Sequence, residues 1–287
     1  MPADLHIHST ASDGRLTPEE IVKQARAAGL SAIALTDHDT VDGIQAALQA
    51  AGSSGLEVIT GIEFNTDLDG AEIHILGYYL TLDNDLAGTL AILRAARENR
   101  AKMIIARLDQ LQIRIDYDRL KQVAGRATMG RPHIARALYE AGYATSVGDA
   151  FERYLAKGKP AYVPHHRLDP FTAIETVLKA EGIPVLAHPG LAKKDELIPE
   201  FIARGLLGIE VFYPFHSPGD VVRYEKICLE QGLIMTGGTD CHGPGFNYPP
   251  LGTVTVPDET ILQLKQLRNQ RSIDRRQESP GEWRTIK

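Results

Sequence analysis

Short apolar runs alternate with longer stretches of helical periodicity through the first third of the chain. Residues 3–8, 32–36, 57–62 and 72–80 are rich in Ile, Val and Leu and read as strands. Between the first two, Thr17-Pro18-Glu19-Glu20 offers an N-cap, a first-turn proline and an acidic start. A helix is expected to open there and to stop near Gly29. Residues 39–51 read as the next helix, ended by Gly52-Ser53-Ser54-Gly55. Strands that are apolar throughout, alternating with helices, predict a parallel sheet buried on both faces.

From about residue 86 to 162 the strand pattern vanishes. Helical periodicity covers 90–111, 117–123, 131–141 and 147–154, punctuated by Gly125, Gly130, Gly142 and Gly158. An all-helical insertion is expected. Alternation resumes at Pro170, with helices over 172–181, 197–204 and 220–231 and strands over 184–187, 208–212 and 233–237. The expected organisation is therefore α/β, built from residues 1–90 and 166–287, with a helical insertion over 91–165. The charged tail from Arg271 carries the lone Trp283, expected to pin it down.

Composition narrows the partners. The 287 residues suit one α/β barrel, and a net charge of −6 argues against a surface that coats long nucleic acid. Two cysteines, Cys228 and Cys241, fit a reducing compartment with no disulfide framework. The N-terminus has no charged-then-apolar leader pattern, and no apolar run approaches the roughly 18 residues of a membrane span. A cytoplasmic protein without a membrane partner is expected.

The chemistry lies in the polar residues that interrupt or follow the apolar runs. Side chains at i and i+2 of a strand share a face, so His6 projects with His8, and Asp240 with His242. Asp13, His38, Glu63, His74 and His188 also follow apolar runs, where a parallel barrel gathers its active site. One histidine at a strand end is ordinary core chemistry. Nine nitrogen and oxygen donors so placed suit several Zn, Mn or Fe ions and point to a multinuclear metallohydrolase.

His6-Ile7-His8-Ser9, Asp13-Gly14, Thr36-Asp37-His38-Asp39, Gly61-Ile62-Glu63, His74, Ala187-His188-Pro189 and Asp240-Cys241-His242 together resemble the motif series of the PHP (polymerase and histidinol phosphatase) domain. The resemblance covers residues 1–80 and about 170–250. It implies a distorted (β/α)7 barrel, related to the amidohydrolases, holding two or three divalent ions for phosphoester hydrolysis. Mn is the expected metal, with Fe or Zn as alternatives. Carried over by position, His6, His8, Glu63 and Asp240 hold the first ion. Glu63 bridges to a second with His74 and His188, and Asp13, His38 and His242 complete a third. Of these, His6, His8, Asp13, Glu63, His188, Asp240 and His242 are the expected catalytic residues, with Asp13 and His242 also facing substrate.

Charge counting supports a phosphate substrate. Three carboxylates and one hydroxide leave a two-ion site neutral and a three-ion site positive. A phosphate dianion matches the second, or the first with Arg or Lys nearby, whereas a neutral amide leaves the surplus unused. By strand alternation Asp37 and Asp39 point away from His38 and are expected to support it or to cap a helix. Cys241 reads as packing.

In the insertion, Gly130-Arg131-Pro132-His133 and Lys157-Gly158-Lys159-Pro160 set cations on glycine-flanked turns. A solvated basic surface is the bland reading. The functional one is a cap in which Arg131 clamps a phosphate, His133 stands beside it and Lys159 adds a point charge. Arg100 and Lys102 are weaker candidates, and His165 and His166 are expected at the rim. These motifs are similar to a bacterial branch of the PHP family. That similarity implies removal of the 3′-phosphate from adenosine 3′,5′-bisphosphate to give AMP. The alternatives are 5′→3′ cleavage of short 5′-phosphorylated RNA, a histidinol phosphatase, and a module that only binds a phosphorylated ligand. The expected partner is a small nucleotide. Tyr213, Phe215, Phe246 and Tyr248 are expected to pack, with base stacking the other reading.

Overall fold

The computed structural model describes residues 2–124, 129–164 and 168–278. Seven strands make one sheet in chain order: β1 Ala3–Ile7, β2 Ala32–Leu35, β3 Glu57–Leu68, β4 Ala71–Tyr78, β5 Ile183–Leu186, β6 Gly208–Phe212 and β7 Ile234–Gly237. Beyond β7 the chain returns to β1. The His8 N–H donates to the Cys241 carbonyl at 3.0 Å, and Ala3 and Val256 exchange backbone bonds. The sheet thus curls into a nearly closed, distorted seven-stranded α/β barrel. Tyr78 is fully buried inside it and donates its hydroxyl to the Leu5 carbonyl at 2.9 Å.

The helices are α1 Pro18–Ala27, α2 Ile44–Ala51, α3 Asn84–Gln110, α4 Tyr117–Ala124, α5 Arg131–Glu140, α6 Val147–Ala150, α7 Pro170–Lys179, α8 Pro189–Ala192, α9 Ile198–Ala203, α10 Pro218–Gln231 and α11 Asp258–Glu278. The expected start of α1 is present as a reciprocal cap: Glu20 N–H donates to Thr17 Oγ1 and Thr17 N–H to Glu20 Oε2. The helix expected from residue 39 begins only at Ile44. Asp39 takes a left-handed φ of 53° that no helix admits, and its backbone N–H is bound to the Glu63 carbonyl instead.

The expectation of a parallel sheet fails at β4, which runs antiparallel to both β3 and β5. The cause is a two-residue turn, Asp69-Gly70, with φ of 53° and 83°, which folds β3 and β4 into a hairpin. β3 runs on to Leu68, past its apolar run of 57–62, for the same reason: a hairpin carries polar residues on its open face, while β4 stops at Tyr78, short of the expected 80. Glu63 and His74 therefore lie inside strands rather than at their ends. Glu63 is paired with Leu76, so His74, two residues along, stands diagonally on the same face.

Leu86, Leu90 and Leu93 at the start of α3 belong to the barrel's core, and from Ala101 onward helices α3 to α6 pack on a core of their own. Ala101, Ile104, Leu108, Ile134, Leu138 and Leu155 are its buried centre, and every buried member falls between residues 101 and 163. Among the described residues no helix is long and apolar enough to cross a membrane. Cys228 and Cys241 are both buried free thiols. Trp283, His165 and His166 lie outside the described residues.

Candidate metal centre

All nine donor residues converge at one end of the barrel. Their ligand atoms fall into three overlapping sets, each with its atoms within 4.8 Å of one another: His6, His8, Glu63 and Asp240; His8, Asp13, His38 and His242; and His38, Glu63 and His74. His188 joins through Glu63, its Nε2 lying 3.0 Å from Glu63 Oε1. The expected grouping differs in two respects. His8 stands in the Asp13 set as well as the first, and His38 takes the place given to His188 in the set with His74.

Glu63 is the hub. Its Oε1 meets His74 Nδ1 at 2.8 Å and its Oε2 meets His38 Nδ1 at 2.9 Å and His8 Nε2 at 3.3 Å. Backbone geometry brings the remaining groups in. A Cβ on Gly238 would stand 2.4 Å from the His6 nitrogen, so only glycine lets the end of β7 pass this close to β1. His188 and Asp240 hold left-handed φ values of 26° and 52°, strain of the kind that persists where a site requires it.

Seven buried atoms in this cluster have no hydrogen bond: His6 Nε2, His8 Nδ1 and Nε2, Asp13 Oδ1, His38 Nδ1, Glu63 Oε2 and Asp240 Oδ1. Several approach one another at 2.9–3.4 Å, off hydrogen-bond geometry. Buried polar groups left unsatisfied are costly, so such convergence calls for a partner. The electrostatics call for a positive one. Burial opposes a charge on His8, yet Asp240 and Glu63 outweigh it and push the ring up to about 10. His74 rises to about 9 against burial, through Glu63 and Glu72. Burial likewise opposes a charged Glu63, but His38, His74 and His6 hold it well below the usual carboxylate range. At His38 burial, with the charge of His8 beside it, outweighs Glu63 and Asp13, and the ring is lowered. Imidazole and carboxylate donors that draw in positive charge fit divalent cations.

Comparison with known proteins decides the lineage. Residues 4–147 match the PHP domain. A 5′-3′ exoribonuclease of Haemophilus influenzae is 45% identical, across 84% of this chain and 90% of that protein. A 3′,5′-nucleoside bisphosphate phosphatase of Chromobacterium violaceum is 34% identical, across 84% and 87%. The chain belongs to the PHP family. A solved Bifidobacterium adolescentis structure assigned to the metal-dependent phosphoesterases superposes with a TM-score of 0.85 at 32% identity, over 92% of this chain and 96% of that one. This PHP chain is accordingly a hydrolase of phosphate esters.

Around the donors of the PHP centre stands a layer of buried acids. Glu210, in β6, accepts from His6 Nδ1 at 2.9 Å and from the His188 backbone N–H at 2.9 Å. The proton on Nδ1 leaves Nε2 of His6 as a lone pair aimed at Glu63 and Asp240, which is the tautomer a metal requires. Asp37 accepts from Ser9 N, Ser9 Oγ and Ser12 Oγ and so shapes the loop after β1. Asp39 binds Asn65 and, through Oδ2, the Arg97 guanidinium of α3, tying the helical insertion to the chain beside His38. It caps no helix. Tyr213 is buried and donates to Asp240 Oδ2 at 3.0 Å, so it is no base platform. Tyr248 stacks on the His242 ring at 4.7 Å, and Phe215 meets both tyrosines edge-on.

Glu210 and Arg97 were not among the sequence candidates. Glu210 gave a signal, a charged residue inside the apolar run of 208–212. Glu210→Gln tests its role. An amide cannot accept from both partners, so His6 must lose its support or change tautomer. Metal affinity is expected to fall about tenfold to a hundredfold with the fold intact, read by titration with Mn²⁺ and by circular dichroism. Unchanged affinity would contradict the role.

The insertion candidates divide between two cavities. Arg131 lines one of about 360 Å³, with Arg100, Lys157, Tyr162 and Glu72, the last bonded to His74 Nε2 at 3.1 Å. Its guanidinium lies near the Phe151 and Tyr162 rings, and Arg100 donates to the Val163 carbonyl at 2.9 Å. Lys159 is exposed and is not in that wall, where Lys157 stands instead. Turn geometry decides between two lysines that the sequence presents alike. Lys102 lies over the Tyr117 ring at 5.7 Å. His133 does not share Arg131's cavity: it accepts from Gly130 N–H at 3.1 Å and lines the other, larger one.

Proposed function

We propose that this chain removes the 3′-phosphate from nucleoside 3′,5′-bisphosphates, turning adenosine 3′,5′-bisphosphate into AMP and phosphate. The observation that carries the reading is a donor cluster with a separate cationic cavity, that of Arg131, Arg100 and Lys157, on its His74 side. A substrate with two phosphates needs both. The named phosphatase of Chromobacterium violaceum supports the same substrate.

His6, His8, Glu63 and Asp240 would hold one ion, Glu63 with His74 and His38 or His188 a second, and Asp13, His38 and His242 a third. Mn suits this mixture of imidazole and carboxylate, with Fe and Zn next. Bound ions would lower the pKa of water and stabilise charge on the phosphoryl oxygens. The chain's own groups do the rest. Arg131 grips the 5′-phosphate bidentately and Lys157 adds a point charge. Glu210 and Tyr213 fix His6 and Asp240 so that the 3′-phosphorus meets a rigid frame. The insertion expected over 91–165 would serve as the cap, its buried members from Ala101 to Val163 making a core of their own, and the two free thiols suit the cytoplasm.

The second reading is 5′→3′ exoribonuclease action on short 5′-phosphorylated RNA, favoured by the 45% identical exoribonuclease of Haemophilus influenzae. Both readings break one bond, that between phosphorus and the 3′-oxygen of a 5′-phosphorylated nucleoside. Incubation with adenosine 3′,5′-bisphosphate should release AMP and phosphate in equal amounts, separated by anion exchange. Release of adenosine 3′-phosphate, or of nothing, would overturn the proposal.

A further inference from the structure

His188 stands at the N-cap of α8 and holds a left-handed φ of 26°. The side chain of an N-cap residue ordinarily accepts from the backbone N–H at the second or third helical position. His188 makes no such bond, because its Nε2 is turned to Glu63 Oε1 at 3.0 Å. Pro189 brings no N–H, so the first orphan donor of α8 is Gly190. A side chain from another loop takes it. His216, between β6 and α10, accepts from the Gly190 N–H through Nε2 at 3.2 Å.

The other nitrogen of His216 fixes the ring for this task. A backbone carbonyl only accepts, so the 2.9 Å contact between Nδ1 and the Val211 carbonyl puts the proton on Nδ1 and leaves a lone pair on Nε2. The Tyr213 and Tyr224 rings pack on the imidazole, each with its centroid 5.3 Å away. Gly190 makes the approach possible: a Cβ there would stand 2.7 Å from His216 Cδ2 and 3.0 Å from Nε2. Tyr213 also donates to Asp240 Oδ2 at 3.0 Å, so one small network touches the loops that carry two of the donors.

We propose that His216 is a positioning residue for the metal centre: it serves the start of α8 from outside, which frees the His188 side chain to hold an ion with Glu63. The proposal rests on the reading of His188 as an ion ligand and deepens it. His216 touches neither substrate nor ion. It acts through the Gly190 N–H, two residues from His188. Without that acceptor the left-handed turn keeps only the bond from the His188 N–H to Glu210 Oε2, and the imidazole loses its fixed aim.

The test titrates Mn²⁺ by calorimetry into wild type, His216→Phe, His216→Gln, Gly190→Ala and His188→Ala after chelation, with thermal melting alongside. His216→Phe keeps a ring among the tyrosines but offers Gly190 no acceptor. One ion per chain should bind about tenfold to a hundredfold more weakly, the cost when a metal ligand loses its outer support. His188→Ala should weaken that same ion further. His216→Gln carries an oxygen acceptor and should recover most of the affinity, whatever its melting temperature. Gly190→Ala displaces the ring from the other side and should weaken the same ion, although alanine is the better helix former. A His216→Phe or Gly190→Ala variant that binds every ion as wild type does would overturn the positioning role. So would a glutamine variant no better than the phenylalanine. If His188→Ala also binds as wild type does, the ligand reading falls with it. If His188→Ala alone loses the ion, that reading stands and only the role of His216 is refuted.

Discussion

Replacing Glu63 with glutamine should cut kcat for phosphoester hydrolysis by about a thousandfold or more while the protein stays folded. The side chain is buried and lies within 3.4 Å of His6, His8, His38, His74 and His188, five of the other eight donors. Glutamine keeps the volume but removes the charge shared by two of the three donor sets. Loss of several kcal/mol of charge stabilisation corresponds to about that factor, at tenfold for each ~1.4 kcal/mol. Ion content should fall in parallel, measured by elemental analysis of the purified variant. A kcat within tenfold of wild type would show that the hub is dispensable.

The second large effect concerns the cap. Arg131→Ala should raise KM for adenosine 3′,5′-bisphosphate about tenfold to a thousandfold, because a bidentate, charge-assisted contact is lost. Its kcat should change little, since the 5′-phosphate is remote from the bond that breaks. Arg131→Lys should recover only part of the loss, because an ammonium lacks the planar fork. A histidinol phosphatase has a single phosphate to place and would tolerate the change. Unchanged KM would therefore argue for a one-phosphate substrate.

The donors were legible for a physical reason. Nitrogen and oxygen ligands to divalent ions are most often His, Asp or Glu, and such residues stand out against apolar strands. The i, i+2 pairs His6/His8 and Asp240/His242 declare a shared face without any structure. The hairpin is legible as well, in Asp69-Gly70 between the alternating residues 63–68 and 71–75, but the apolar runs of the other strands point to a parallel sheet. Which donors share an ion depends on distances of a few ångströms between strands, and register sets those. His38, placed by a left-handed turn at Asp39, moved next to His74 for that reason.

The insertion was harder to read. Arg97, Arg100, Arg131, Lys157 and Lys159 look alike along helices and turns, and only packing tells which face a cavity. Arg131 and His133 are two residues apart yet line different cavities, because the first turn of α5 directs them differently. Glu210 shows the opposite case. A fully buried carboxylate in an apolar strand has to be paired, and here it is paired with His6 and His188.

The central claim is that seven buried, unbonded nitrogens and oxygens exist to hold divalent cations. The most direct measurement is elemental analysis of the purified protein, with phosphate release from adenosine 3′,5′-bisphosphate followed before and after exhaustive chelation. Two or three divalent ions per chain are expected, with activity lost on chelation and restored by Mn²⁺. A protein that carries no such ions, or that turns over undiminished in chelator, would contradict the account.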